Sequence, residues 1–154
     1  MRIRIVWEGK TKDAHLRALA ADYAKRISHF CDIDVDEIKP LREGRRDLAQ
    51  TLSPGEKKLA EKLQGSVKIF LDERGKPWSS QEFAKWLGGE ALRGTREVAF
   101  VVGGPYGFSE PFFEKADRLL SLSRMTLTHD WSRALLLEQI YRAFTILRGF
   151  PYAH

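Results

Sequence analysis

The chain has 154 residues and 17.7 kDa, with 26 Lys and Arg against 21 Asp and Glu, a net charge of +5 and a pI near 9.4. That length suits one ordinary domain burying roughly 68–70% of the surface its unfolded form exposes, with no need of a disulfide or metal staple. With 43% hydrophobic and 31% charged residues, disordered, collagen-like and coiled-coil architectures are excluded.

A single cysteine, Cys31, leaves no partner for an intramolecular disulfide, a CxxC redox pair or a cysteine-rich zinc site, and it fits a reducing cytoplasm. Met1 to Glu8 sets Ile3 and Ile5 against Arg2 and Arg4, the alternation of a first strand rather than of a signal peptide. No stretch approaches the length of an apolar membrane span. The sign of the charge favours an anionic partner.

From Asp13 to Phe30, Leu16, Leu19, Ala20, Tyr23 and Ile27 make the stripe of an amphipathic helix, and alternation returns near 33–38. Lys39 to Leu52, with Lys39, Arg42, Gly44, Arg45 and Arg46, reads as a mobile basic connection. Ser53-Pro54-Gly55-Glu56 is a capping box that opens a helix to Gln64, closed by Gly65. Val67 to Asp72 is of strand length and Glu73 to Pro77 reads as a loop. A second capping box, Ser79-Ser80-Gln81-Glu82, opens a helix that Gly88-Gly89 closes. Glu97 to Val102 is nearly all apolar, as in a parallel strand covered on both faces. Ser109 caps a helix to Leu120, a short strand follows at Met125 to Leu127, and a last helix runs from Trp131 to Arg148 before Gly149 and Pro151. This alternation predicts a single α/β domain over 1–154 with a largely parallel sheet. The last helix is apolar on more than one side (Leu136, Ile140, Phe144 and Leu147; then Leu135, Leu137 and Tyr141). It is either a deep core helix or one that a second subunit also covers.

Ligands of parallel α/β sheets bind at the carboxyl ends of the strands. Three segments fall there: Asp72–Pro77, Gly103–Phe108 and Ser121–His129. None carries GxGxxG or a P-loop, so classical dinucleotide and nucleoside-triphosphate sites lose support. The glycine pair either lets a ligand approach the backbone or simply makes a tight turn. The segment from Ser121 to Thr128 is rich in small hydroxyls and aliphatics, with one charge at Arg124, a lining suited to adenine and ribose. His15, His29, His129 and His154 show no metal-binding spacing, and no GxSxG elbow is present. Arg142 lies on an apolar helix, where it either meets an anion or pairs with Glu138 one turn earlier.

The segments VVGGPYGFS, SLSRMTLTHDWSRALLLEQIYRAFTILRG and PYAH, together with LDERGKPWSS, resemble the RlmH family of SPOUT-class methyltransferases over essentially the whole chain. The resemblance implies an alpha/beta knot fold with a deep carboxyl-terminal trefoil knot, a homodimer, and S-adenosylmethionine bound in the knot loops. It further implies methylation of N3 of a pseudouridine in helix 69 of 23S rRNA, within the assembled ribosome in the cytoplasm, with no metal and no membrane. Cofactor residues carry over onto Leu71, Gly103, Gly104, Leu122, Ser123, Arg124, Met125, Thr126 and Leu127. For loss of the N3 proton, Arg142 is the first candidate to favour the anion, with Tyr152, His129 or His154 orienting the base. The family places His directly after the Tyr of the terminal motif, whereas Pro151-Tyr152-Ala153-His154 moves it one place on. Lys39, Arg42, Arg45 and Arg46, with Arg4 and Lys10, are the cations available for phosphate contacts. The alternative class is a non-catalytic, ribosome-associated RNA-binding α/β module.

Overall fold

The computed structural model describes residues 1–42 and 50–152. Ten elements follow one another as β1 (Arg2–Glu8), α1 (Ala14–Ile27), β2 (Ile33–Ile38), α2 (Pro54–Lys62), β3 (Val67–Pro77), α3 (Ser80–Leu92), β4 (Glu97–Val102), α4 (Glu110–Phe113), β5 (Arg118–Ser121) and α5 (His129–Arg148). The five strands form one sheet in the order β2-β1-β4-β3-β5, and every pairing is parallel. Gly44, Arg45, Arg46, Ala153 and His154 lie outside the described residues.

Strand alternation divides the core in two. On one face Ile3, Ile5, Ile69, Phe100 and Leu120 pack with Ala20 and Ile27 of α1, Phe83 and Leu87 of α3, and Leu136, Leu137 and Ile140 of α5. On the other, Val6, Phe70, Ala99 and Val101 meet Leu59 and Leu63 of α2 and the Phe108, Phe112 and Phe113 group. Helices on both faces explain why β4 is apolar almost throughout.

Both capping boxes form, with Ser53 accepting from the Glu56 N–H and Ser79 from the Glu82 N–H while each glutamate reaches back to the cap. Several boundaries depart from the sequence reading. Glu73 to Pro77 belongs to β3 rather than to a loop, because the chain resumes pairing with β5 at Lys76 and Pro77 after an irregularity following Leu71. α3 continues through Gly88 and Gly89. A Cβ at Gly88 would lie 2.7 Å from Leu147 Cδ2, so the glycine serves close packing of α3 on α5 instead of ending the helix.

The stretch after Ser109 differs most. Its helix is one turn long, and the fifth strand is Arg118–Ser121, not Met125 to Leu127. Phe112 and Phe113 are buried against Phe70, after which the Asp117 N–H donates to the Lys68 carbonyl (2.8 Å) and starts the pairing with β3. Among the described residues, no helix is long and apolar enough to cross a membrane.

Candidate ligand-binding site

The carboxyl ends of β3, β4 and β5 open into a cavity of about 620 Å³, within the range of small-molecule sites. Leu71, Asp72 and Glu73 form one side, Val102 to Phe108 the second, and Leu120 to Ser123 with Met125 to Leu127 the third; His129 and Ser132 stand at the start of α5. Three connections far apart in sequence meet here because their parallel strands are sheet neighbours. Thus Leu71, Gly103, Gly104, Leu122, Ser123, Met125, Thr126 and Leu127 are brought together, while Arg124 is not among the lining residues.

Among the described residues no Lys or Arg lines the cavity, whereas Asp72, paired with Arg74 at 2.8 Å, and Glu73 do. Such a wall suits a neutral or cationic ligand and opposes a phosphate. The hydroxyls of the third segment are largely spent on the loop itself. Ser121 donates to the Ser123 carbonyl (2.8 Å), Ser123 accepts from the Met125 N–H (2.9 Å), and Thr128 caps α5. Recognition is thereby left to backbone groups and aliphatic contacts held by a stiffened loop.

The glycine pair has a structural cause that its sequence did not disclose. A Cβ on Gly104 would overlap the carboxylate of Glu8, and one on Gly103 would lie 3.3 Å from the Phe108 ring. The turn therefore presses against β1 on its inner side and leaves its backbone to the cavity.

The amino-terminal end of α5 is tied to the end of β1. Asp130 accepts from the Lys12 and Asp13 N–H groups at 3.0 and 2.9 Å. Arg133, 3% exposed, donates to the Glu8 carbonyl, to the Gly9 carbonyl and Thr11 Oγ1 (both 3.2 Å), and its guanidinium lies 5.1 Å from the Trp7 ring centre. Partial desolvation at the cavity rim and the charge of Arg133 hold the His129 imidazole below its ordinary range, partly opposed by the Gly103 backbone. His129 is thus neutral at neutral pH. Burial pushes the Cys31 thiol up to about 11, so it is no nucleophile near neutrality.

Arg142 and Tyr152 are elsewhere. The Arg142 Nε and Nη2 donate to Glu138 Oε1 at 3.1 and 2.8 Å, and the guanidinium lies 4.8 Å from the Tyr152 ring centre. Tyr152 donates to the same Glu138 oxygen (3.2 Å) and its hydroxyl meets that of Tyr23 at 2.8 Å. Burial, Tyr23 and Glu138 together keep the Tyr152 phenol neutral far into the alkaline range. Thirteen residues of α5 separate Arg142 from His129, about 20 Å of helix. The same chain's cavity and its Arg142 cluster are therefore two places, and the i,i+4 pair with Glu138 is the one that forms.

The argument from desolvation cost drew attention to Arg142, whereas the more enclosed arginine of α5 is Arg133, one turn after His129, which the sequence analysis did not single out. Glu56 was recognised as a cap residue only, yet it is fully buried and accepts from the Ser109 N–H and hydroxyl (both 2.8 Å), clamping α2 to the turn after β4. Of the basic supply, Arg4 is paired with Asp36 (2.8 Å) and Glu97 (3.2 Å), and Arg42 with Glu56 (3.4 Å); Lys10 and Lys39 are exposed. Among the described residues no group of His, Cys, Asp and Glu could hold a metal ion.

A parallel sheet with ligand loops at its carboxyl edge, no phosphate-binding motif and a wall of carboxylate and backbone groups defines an α/β protein built for a nucleoside-sized, phosphate-free ligand. Residues 1–154 match the family described as "Predicted SPOUT methyltransferase", and the chain belongs to that family. Proteins called ribosomal RNA large subunit methyltransferase H are similar over full length: that of Trichlorobacter lovleyi is 41% identical over 159 residues, covering 100% of both chains, and that of Geotalea daltonii 42% over 154 residues, again 100% of both. Among solved structures, a probable methylase family protein from Haemophilus influenzae Rd KW20 superposes with a TM-score of 0.53 at 12% identity, over 96% of this chain and 67% of that one. A putative methylase family protein from Neisseria gonorrhoeae gives 0.51 at 16%, over 99% and 85%. These two likenesses speak for the fold.

Proposed function

We propose that the protein is an S-adenosylmethionine-dependent ribosomal RNA methyltransferase acting on N3 of a pseudouridine in helix 69 of 23S rRNA. The observation that carries this reading is the cavity beside β3, β4 and β5, which has acidic residues and backbone groups but, among the described residues, no Lys or Arg on its wall. S-adenosylmethionine has no phosphate and carries a sulfonium cation, so those donors and acceptors fit it where a nucleotide would be opposed. The full-length relatives named for large-subunit rRNA methylation supply the substrate class.

When bound, the cofactor supplies an electrophilic methyl group. The chain's own part begins with orientation: Leu71, Gly103, Gly104 and Leu122 to Leu127, apart from Arg124, hold the nucleoside, and Glu56 and Arg133 hold the loops that hold it. Positioning of donor and acceptor then accounts for much of the rate. Neutral His129, at the rim, can accept a proton at a ring nitrogen. Arg142 favours the imidate anion of the base, and because it lies about 20 Å along α5 from the same chain's cavity, it does so from a second subunit. Exposed apolar residues support that homodimer: Trp131, Ile146, Leu147 and Phe150 lie on or just past α5. The trefoil knot of the family, and a place in the cytoplasm beside the ribosome, belong to the same proposal.

Mass mapping of 23S rRNA from a strain lacking the gene tests the reading. Loss of one methyl group from the helix 69 pseudouridine, restored by the wild-type gene, is expected; an unchanged map contradicts it.

A further inference from the structure

Glu8 ends β1, one position beyond the Trp7–Val102 pair and thus beside Gly103. It is 7% exposed, and its Oε1 has no hydrogen-bond partner. A carboxylate in this position is costly. Valine or leucine would extend the Val6, Val101 and Phe70 layer without desolvating a charge. The groups around it are the backbone N–H groups of Leu41 and Gly104, Glu56 at the start of α2 and Arg133 on α5. Burial dominates and holds the carboxyl above its ordinary range. The two amides and Arg133 oppose that shift, and Glu56 adds to it.

The fit to the glycine turn is specific. A Cβ on Gly104 would overlap Glu8 Oε2 and come within 3.2 Å of Glu8 Cβ, so glycine and glutamate occupy one complementary contact. On the far side of the same two glycines is the cavity. We propose that Glu8 is a positioning residue that grips the Gly104 backbone from behind and fixes the Gly103–Gly104 wall in the form the cofactor's nucleoside requires. The inference rests on the cofactor reading above and deepens it. It also explains the cost: a buried acid with an unpartnered Oε1 is retained because it preforms the wall, trading stability for affinity.

A purely structural acid and a positioning acid differ in one respect. If Glu8 served stability, its neutral isostere would lower the unfolding temperature and the affinity together. If it positions the turn, Glu8→Gln removes a buried charge and leaves the ligand-free chain as stable or more so, while the wall is held less firmly. The test uses the full chain, with calorimetric titration of S-adenosylhomocysteine and thermal unfolding without ligand. Relative to the parent, Glu8→Gln is expected to bind about tenfold more weakly with no fall in unfolding temperature. The parent should lose affinity as acid protonates Glu8, and the variant should lack that step; His129 titrates in both and cancels in the comparison. Should the amide variant not fold, Glu8→Asp decides, its shorter arm weakening binding while stability is kept. Parent-like affinity in either variant, a loss matched by lowered stability, or an identical acid limb overturns the proposal. A parent that does not bind S-adenosylhomocysteine overturns the cofactor reading instead, so the two failures are distinguishable.

Discussion

At the amino-terminal end of α5, Arg133 has 3% of its side chain exposed and donates to backbone carbonyls and a hydroxyl of the segment following β1. Nine residues later Arg142 keeps 24% exposure and pairs with Glu138 at i,i+4. The first meets backbone carbonyls and a hydroxyl fixed by the fold, whereas the second meets a carboxylate on its own helix nearer the surface. One arginine therefore ties α5 to the end of β1, and the other stands about 20 Å along the helix from the cavity. Two identical side chains on one helix acquire different roles from what each must leave water to meet.

Substitutions along α5 sharpen this contrast. Arg133→Ala is expected to give the largest change, a loss of about 3 kcal/mol or more in urea unfolding, because carbonyls of Glu8 and Gly9 and the Thr11 hydroxyl lose their donor in the interior. Lysine should not restore it, lacking the planar fork that reaches three acceptors. Arg142→Ala should move stability by less than about 1 kcal/mol. Methyl transfer to ribosomes should nevertheless fall roughly a hundredfold, with S-adenosylhomocysteine affinity within about twofold of the parent. Equal stability losses for the two variants would erase the distinction.

The wall behind the cavity offers a third break. Gly104→Ala should abolish cofactor binding, since its Cβ overlaps Glu8, and Glu8→Ala in the same chain should recover part of it by vacating that space. Two damages that merely add would mean that the glycine is needed for the ligand and not for Glu8.

The smallest effect concerns acid. His129 is harder to protonate folded than unfolded, so the unfolded chain binds more protons as the pH falls through the ordinary value of 6.5, and stability declines there. Above that pH the group contributes no slope. A proton titration by NMR should place the His129 midpoint below the ordinary imidazole value of 6.5, and a midpoint above it would contradict the desolvation at the rim.

What the sequence disclosed follows the range of the interactions involved. Capping boxes at Ser53 and Ser79 are local and were legible, as was the apolar run of β4. The three ligand segments were legible because strand ends in a parallel sheet gather on one edge, whatever the residues between. The fifth strand was not. Arg118 to Ser121 is short, and its pairing with β3 is decided by residues some fifty positions earlier, while the Ser109 cap marks where a helix starts and not how soon it ends. Nor could the sequence separate Arg133 from Arg142, since both sit among apolar residues and only packing against β1 encloses one. Glu8 hid at the end of an alternating strand, where an acid reads as solvent-facing until the turn of β4 closes over it.

The central claim is that Leu71 to Glu73 of β3 and the segments following β4 and β5 enclose one sulfonium nucleoside. Crystals of the full chain grown with S-adenosylmethionine test it most directly. The nucleoside should lie between the Gly103–Gly104 backbone and the segment from Leu122 to Leu127, with its sulfonium facing carbonyl or carboxylate oxygens. Density for the ligand at any other place on the chain, with that cavity left to solvent, would contradict the account.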